Sequence, residues 1–534
     1  MFHLLRPQLR APILGAGLGA WVGLIESFAV LLDGRVHLGR LDAAAFGVGA
    51  VLVGAVTGLA AGLFAAAVLL VPVRYPILER RHALGMALST FALGALHLWP
   101  LAWAKWVQGV GLPSAVFVLF PLGFSGVVYF NARYWLTREA LGERRRVGFV
   151  RGSLLLAAAL GAAGGLVGGG GRYGSARAVA GDASALLVLV EGPALAGPLP
   201  RLEALAEGGV RFTGLVAPVP AREGALAALF TGRHPLRSAE PGVGGAWRLP
   251  KGQDTLAEAL AAEGYATGAF WSTADAGADR GFAQGFEIYD DESLPLPAGL
   301  GQLRVLRWAA RAGGPWRAEG RSAAGTVERA RAWMGAVGAR PALAVVHLAG
   351  ADAAAMDAAL SALLGAATGQ PWLVAVVGVA GDGGGGGGPL DEAALRVPAV
   401  LVAPGALHAS TRVVGQALRQ FDVPAAILDR LSMDPMPHAE GVDLFGYAEG
   451  VRQQDLPTLL AAPAAGVFGY RAPTADGAGL VKLVWDTSTD ARHLCDLRSD
   501  PACATDLAPA QTAATEATVQ RIRSEAEAWL SAGP

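Results

Sequence analysis

Apolar positions along this chain fall into two regimes. Up to about Arg172, Ala, Leu, Val and Gly run nearly unbroken and charges sit in short clusters. Beyond it, short apolar runs alternate with polar and Gly/Pro-rich connections. The first regime holds five apolar stretches of about 20 residues, the length that crosses a bilayer as a helix: residues 11–32, 43–71, 83–104, 113–130 and 150–170. The second regime opens with "ALLVLV" (185–190), a continuous apolar run of strand length, as in a strand buried on both faces. A helix is expected at residues 200–208. "LAEALAAEGYATGAF" reads as a helix ending at Gly264 followed by a strand, and "RGFAQGFEIYDD" as a turn-rich loop. "RPALAVVHLAG" and "PWLVAVVGVAG" are two further buried strands around the amphipathic helix "MDAALSALLGAA". "RVPAVLVAPG" adds a strand and "FDVPAAILDRLSM" a helix. Strands alternating with helices predict an α/β domain with a mostly parallel central sheet covered on both faces. The tail predicts a small hairpin, turning near residues 488–491, and a closing helix, "TVQRIRSEAEAWL".

Composition supports this division. A chain of 534 residues with 16% charged residues and a mean hydropathy of +0.40 is too apolar to be wholly soluble. A net charge of -1 gives no basis for nucleic-acid binding. Arg6 and Arg10 precede the first stretch, Arg74, Arg80 and Arg81 follow the second, and Arg133, Arg138, Arg144, Arg145, Arg146 and Arg151 lie between the fourth and fifth. The positive-inside rule then places the N-terminus in the cytoplasm and everything after Arg172 outside it. The expected layout is a transmembrane domain at 1–170, a small, polar linker at 171–184 and an extracytoplasmic domain at 185–534, in the plasma (inner) membrane. Glu26 lies within the first stretch and is read as reaching the headgroups at its outer end, against the alternative of an intramembrane functional acid. Cys495 and Cys503 are the only cysteines; a disulfide and two free thiols both remain open.

The order of several motifs carries a resemblance. "LPRLEALAEGGVRFTG", "LFTGRHP", "DTLAEALAAEGYATGAFW", "RGFAQGFEIYDD", "LRVPAVLVAPG", "FDVPAAILDRL" and "KLVWDTSTDARHLCDLRSDP" succeed one another as in sulfatases of the alkaline-phosphatase superfamily. The front end resembles, in layout only, that of lipoteichoic-acid synthases and phosphoethanolamine transferases. The resemblance implies an oxygen nucleophile that attacks an anionic ester, held by a divalent metal on carboxylates and often a histidine or asparagine. Ca²⁺, Mg²⁺ or Mn²⁺ suits such hard ligands.

The same resemblance locates replacements. The first strand, expected to end in metal-binding aspartates, ends in Glu191 and Gly192. The nucleophile position falls on Arg222, which stays protonated and cannot attack. The late metal pair falls on Gly381 and Asp382, inside "GDGGGGGGP". No Lys-Ser/Thr follows those glycines, so they are not a P-loop. Glu191, Asp352 and Asp382 are read as solvated loop acids, against a residual cluster at strand ends. His347 is read as a hydrogen-bonded core histidine, Arg233 and His234 of "TGRHP" as a structural turn, and Arg222 as a solvated surface arginine rather than an anion binder. The expectation is a membrane-anchored, sulfatase-like pseudoenzyme without cofactor. Its role would be binding or scaffolding at the envelope, with the bilayer and anionic glycans or lipids as partners. The alternative is an active hydrolase or transferase on sulfuric or phosphoric esters using a divalent cation.

Overall fold

The computed structural model describes residues 7–32, 40–70, 182–191, 199–241, 247–273, 277–292, 320–367, 371–380, 390–404, 412–489, 491–510 and 512–531, with a few single positions between them. The chain divides into two units. One comprises Met1–Arg172 with Glu292–Glu319, the other Tyr173–Asp291 with Gly320–Pro534. The expected 185–534 domain is therefore interrupted by a segment that groups with the N-terminal part.

Among its described residues the first unit contains two long helices, α1 (Pro7–Leu32) and α2 (Arg40–Leu70). Small residues at four-residue spacing let their backbones touch: a Cβ on Gly19 would fall 2.0 Å from the Gly54 carbonyl oxygen. This is the close approach that small-xxx-small stripes permit. Large apolar side chains on the other side are exposed, among them Leu52 and Val56. Among the described residues one helix, over Asp42–Leu63, is long and apolar enough to cross a membrane. A five-helix bundle is not established, since the third, fourth and fifth expected spans lie almost wholly outside the described residues. Glu26 does not sit exposed as expected. It is 6% exposed, because it shares a helix face with Gly23 and Val30, which pack inward. From the 292–319 segment, Leu300, Leu303 and Leu306 pack with Val30, Ala43 and Phe46.

The second unit is an α/β domain. Its sheet has eight strands: β1 (Ser184–Val190), β2 (Val210–Phe212), β3 (Ala266–Trp271), β4 (Ile288–Asp290), β5 (Ala342–Leu348), β6 (Trp372–Gly378), β7 (Ala399–Val402) and β8 (Val413–Val414). The spatial order is β8-β2-β7-β6-β1-β5-β3-β4. Every pairing is parallel except those of β7, which runs antiparallel to both neighbours. β1 is central, and its alternate residues feed the two sides. Leu187 and Leu189 enter one core with Ala225, Leu226 and Leu229, while Leu186, Val188 and Val190 enter the other with Leu202, Leu360 and Leu363. A strand buried on both faces must be apolar throughout, which is why its sequence shows no alternation.

The helices that matter to the site are α3 (Pro200–Gly208), α4 (Arg222–Thr231), α5 (Leu256–Ala262), α6 (Ala323–Val337), α7 (Ala353–Ala366) and α8 (Val423–Arg430). α5 starts with a full capping box between Thr255 and Glu258. The expected C-terminal hairpin is part of a larger element. A four-stranded antiparallel sheet runs β9 (Thr458–Ala462), β10 (Val467–Pro473), β11 (Leu480–Asp486) and β12 (Arg492–Asp496). α9 (Ala513–Ser531) covers it through Val519, Ile522 and Ala526. β9 and β10 are joined through Pro463–Gly466, a connection whose composition reads locally as loop. Pairing with β11 and burial of Leu459, Leu460 and Tyr470 override that preference. Cys495 and Cys503 form a disulfide beside this sheet.

Candidate functional site

β1 ends at Val190, and Glu191 follows where the chain leaves the sheet, its N–H bonded to Leu348 O at 3.0 Å. α4 begins at Arg222, with Ala221 as its N-cap and no side-chain cap. A helix N-terminus favours a negative group, since free N–H groups and the helix dipole point there. Arginine as first residue is therefore unfavourable on its own, and two carboxylates compensate. Arg222 Nε donates to Glu191 Oε2 at 2.6 Å. Glu223, in the first turn, pairs with Arg280.

His347, on β5 one strand from Glu191, completes the cluster. Its Nε2 lies 3.1 Å from Glu191 Oε2, and a carboxylate only accepts, so Nε2 carries the hydrogen. The ring is fully buried and tilted against Trp271 at 5.2 Å between centroids. Burial pushes the Glu191 carboxyl upward. The hydrogen bonds from His347 and Arg222 and the Arg222 charge outweigh burial and hold it down at about 2. Glu191 is thus an ionised, largely buried acid with its charge neutralised, and not the solvated loop acid its position suggests. Arg222 is likewise an ion-pair partner rather than a free surface residue. Glu191 and Arg222, both singled out by the motif order, are in direct contact.

Asp352, Arg233 and His234 make their hydrogen bonds elsewhere. Asp352 is the N-cap of α7, its Oδ1 accepting from Ala355 N at 2.8 Å. Gly192, Gly381 and Asp382 lie outside the described residues. Arg233 donates to Gln253 Oε1 at 3.1 Å. His234 is buried, its Nε2–H donating to Leu459 O at 3.0 Å and its Nδ1 accepting from Leu236 N at 3.2 Å. Burial lowers its pKa to about 3, against the opposing pull of the Leu459 bond. No local pattern marks Gln420. Its buried amide donates to Gly378 O at 2.7 Å and Val379 O at 3.0 Å, fixing the end of β6. Nor does one mark the Glu223–Arg280 pair, whose members lie 57 positions apart.

These residues do not fit a divalent cation. At Glu191 a guanidinium already occupies a carboxylate oxygen, and its fixed positive charge repels an ion there. Among the described residues the single cluster of three metal-ligating types is His493, Cys495 and Cys503, and its cysteines are joined in the disulfide. Nor does Arg222 supply a nucleophile.

Comparison with known proteins agrees with the α/β frame. Residues 193–377 match the family model described as Sulfatase. Arylsulfatase A of Bos taurus is 49% identical over 76 residues, 13% of this chain and 14% of that protein. Arylsulfatase A of Homo sapiens is 47% identical over 76 residues, with the same shares. The match thus spans about one seventh of the curated relatives' length. Among solved structures, a putative sulfatase from Bacteroides thetaiotaomicron is similar with a TM-score of 0.49 and 13% identity, over 66% of this chain and 92% of that one. A phosphonate monoester hydrolase of Agrobacterium radiobacter has a TM-score of 0.46 and 19% identity, over 65% and 95%. The family model described as Sulfatase is thus matched by about a third of this chain.

Proposed function

We propose that this chain is a membrane-anchored, extracytoplasmic protein whose sulfatase-fold domain has lost ester hydrolysis and serves binding or scaffolding at the cell envelope. The observation that carries the reading is the Arg222–Glu191 ion pair at 2.6 Å. An ester hydrolase of this superfamily needs a metal on strand-end carboxylates and a deprotonable nucleophile beside it. Here the guanidinium holds the carboxylate in the metal's stead and stands at the nucleophile's position. The apolar α1–α2 pair and the arginine clusters of the N-terminal region support the anchor and its orientation.

Ligands of this face are anionic glycans or lipids of the envelope. They compete with Glu191 for the Arg222 guanidinium, so Glu191→Gln should hold a sulfated glycan more tightly than wild type. The test of the reading itself is turnover. Full-length protein in detergent should hydrolyse neither aryl sulfates nor aryl phosphates, with or without Ca²⁺, Mg²⁺ or Mn²⁺. Metal-dependent turnover that disappears in Glu191→Gln would overturn the proposal and establish an active hydrolase.

A further inference from the structure

The end of the sheet opposite Glu191 carries a groove. β1 and β6 run parallel, with Ser184 beside Trp372 at one end and Val190 beside Gly378 at the other. Glu191 follows Val190, so Trp372 lies a full strand away from it, about 20 Å. The groove measures about 520 Å³ and is lined by Glu328, Arg331 and Gly335 of α6, its C-cap Gly338, Ala366 of α7, and Trp372. That volume is within the roughly 300–1,000 Å³ of small-ligand sites.

Trp372 is the one residue of β6 that is not buried. It packs against the core of Leu360 and Leu363 and also lines the groove, so part of a large aromatic surface stays open. Gly335 lies in the last turn of α6, where alanine would favour the helix more. A Cβ there would meet nothing within 4 Å, so packing does not require a glycine, but its absence leaves the groove wall as bare backbone. Glu328 and Arg331 are exposed and three positions apart, and neither is spent in an ion pair among the described residues.

Charge narrows the choice of ligand. Glu328 and Arg331 cancel. The last turns of α6 and α7 bring the negative ends of two helix dipoles and their left-over carbonyls, and neither turn holds a basic residue. An anionic group is therefore disfavoured. An organic ammonium suits the carbonyls and Glu328 but meets like charge at Arg331. The whole lining is used by an uncharged ligand whose hydroxyls both donate and accept and whose C–H face can lie on the negative face of an aromatic ring. Those are the properties of a pyranose. We propose that this groove binds a neutral glycan, with a sugar ring stacked on Trp372. Its hydroxyls donate to Glu328 and the helix-end carbonyls and accept from Arg331. This site is independent of Arg222 and of any loss of hydrolysis.

The test is equilibrium binding of fluorescently labelled neutral oligosaccharides of glucose, mannose, galactose and N-acetylglucosamine to the full-length protein, in a detergent without a sugar headgroup. At least one should bind saturably. Glu191→Gln should leave that affinity unchanged, which separates the groove from the face that carries Arg222. Trp372→Ala should weaken it about tenfold, the loss of one ring contact. Should that variant fail to fold, Gly335→Leu decides. Its side chain enters open space and favours the helix, so the unfolding midpoint should equal or exceed that of the wild type while the sugar no longer binds. Absence of saturable binding by every one of these sugars would overturn the proposal. So would binding that Gly335→Leu leaves at wild-type strength.

Discussion

The two ends of α4 have had opposite fates. Its C-terminal end keeps a tightly specified turn. Gly232 adopts a left-handed conformation at φ 63°, its N–H closes on Ala228 O at 3.0 Å, and His234 ties the turn to β9 through Leu459. Its N-terminal end is held differently, with Arg222 bonded to Glu191. Eight of the helix's ten residues, Gly224–Thr231, are buried. The helix therefore holds its position through packing whatever stands at its first residue. Fold and chemistry in this domain are separable because different ends of one element carry them.

The largest expected effect is at the packed end. Replacing His234 by Leu strands Leu459 O and Leu236 N without partners in the core. It should lower unfolding stability by about 3 kcal/mol, from two lost hydrogen bonds and the desolvation of their former partners. His234 also sets a pH limb. Its folded pKa, about 3, lies below the ordinary 6.5, so the unfolded chain takes the proton first. Its contribution is complete above pH 6.5 and is lost as pH falls toward 3, at up to about 1.4 kcal/mol per pH unit. Denaturation of wild type and His234→Leu between pH 7 and 5 should show a steep limb in the former and a flatter one in the latter. Equal slopes would mean the ring is not buried neutral.

A smaller effect is expected at the other end. Glu191 has its carboxyl held at about 2 against an ordinary 4.5. Its ion pair stabilises above pH 4.5 and is lost as pH falls through 4.5 toward 2. Glu191→Gln should cost about 2 kcal/mol at pH 7 and nothing at pH 2, because the shift corresponds to at most about 3 kcal/mol before relaxation. A variant as stable as wild type at pH 7 would erase the distinction between a structural ion pair and an idle acid.

Much of the fold was legible in the chain and part of the site was. β1, β5 and β6 are uninterrupted apolar runs because both faces are covered, and α3 and α7 follow from their spacing. The motif order singled out Arg222 and Glu191, and the two are bonded. What the sequence hid were contacts between distant positions. His347 meets Glu191 across 156 positions, and no local pattern marks a histidine in an apolar strand as a carboxylate partner. β9 and β10 were hidden because they are short and become strands only through pairing with each other and with β11. Glu26 was read from its place along the span, whereas burial depends on its place around the helix.

The central claim, that a guanidinium has taken the cation's place at Glu191, is tested most directly by titrating Mn²⁺ into the full-length protein and following free ion by electron paramagnetic resonance. The account predicts no saturable binding in the wild type, and none gained or lost in Glu191→Gln. Stoichiometric Mn²⁺ binding in the wild type that is abolished by Glu191→Gln would contradict it.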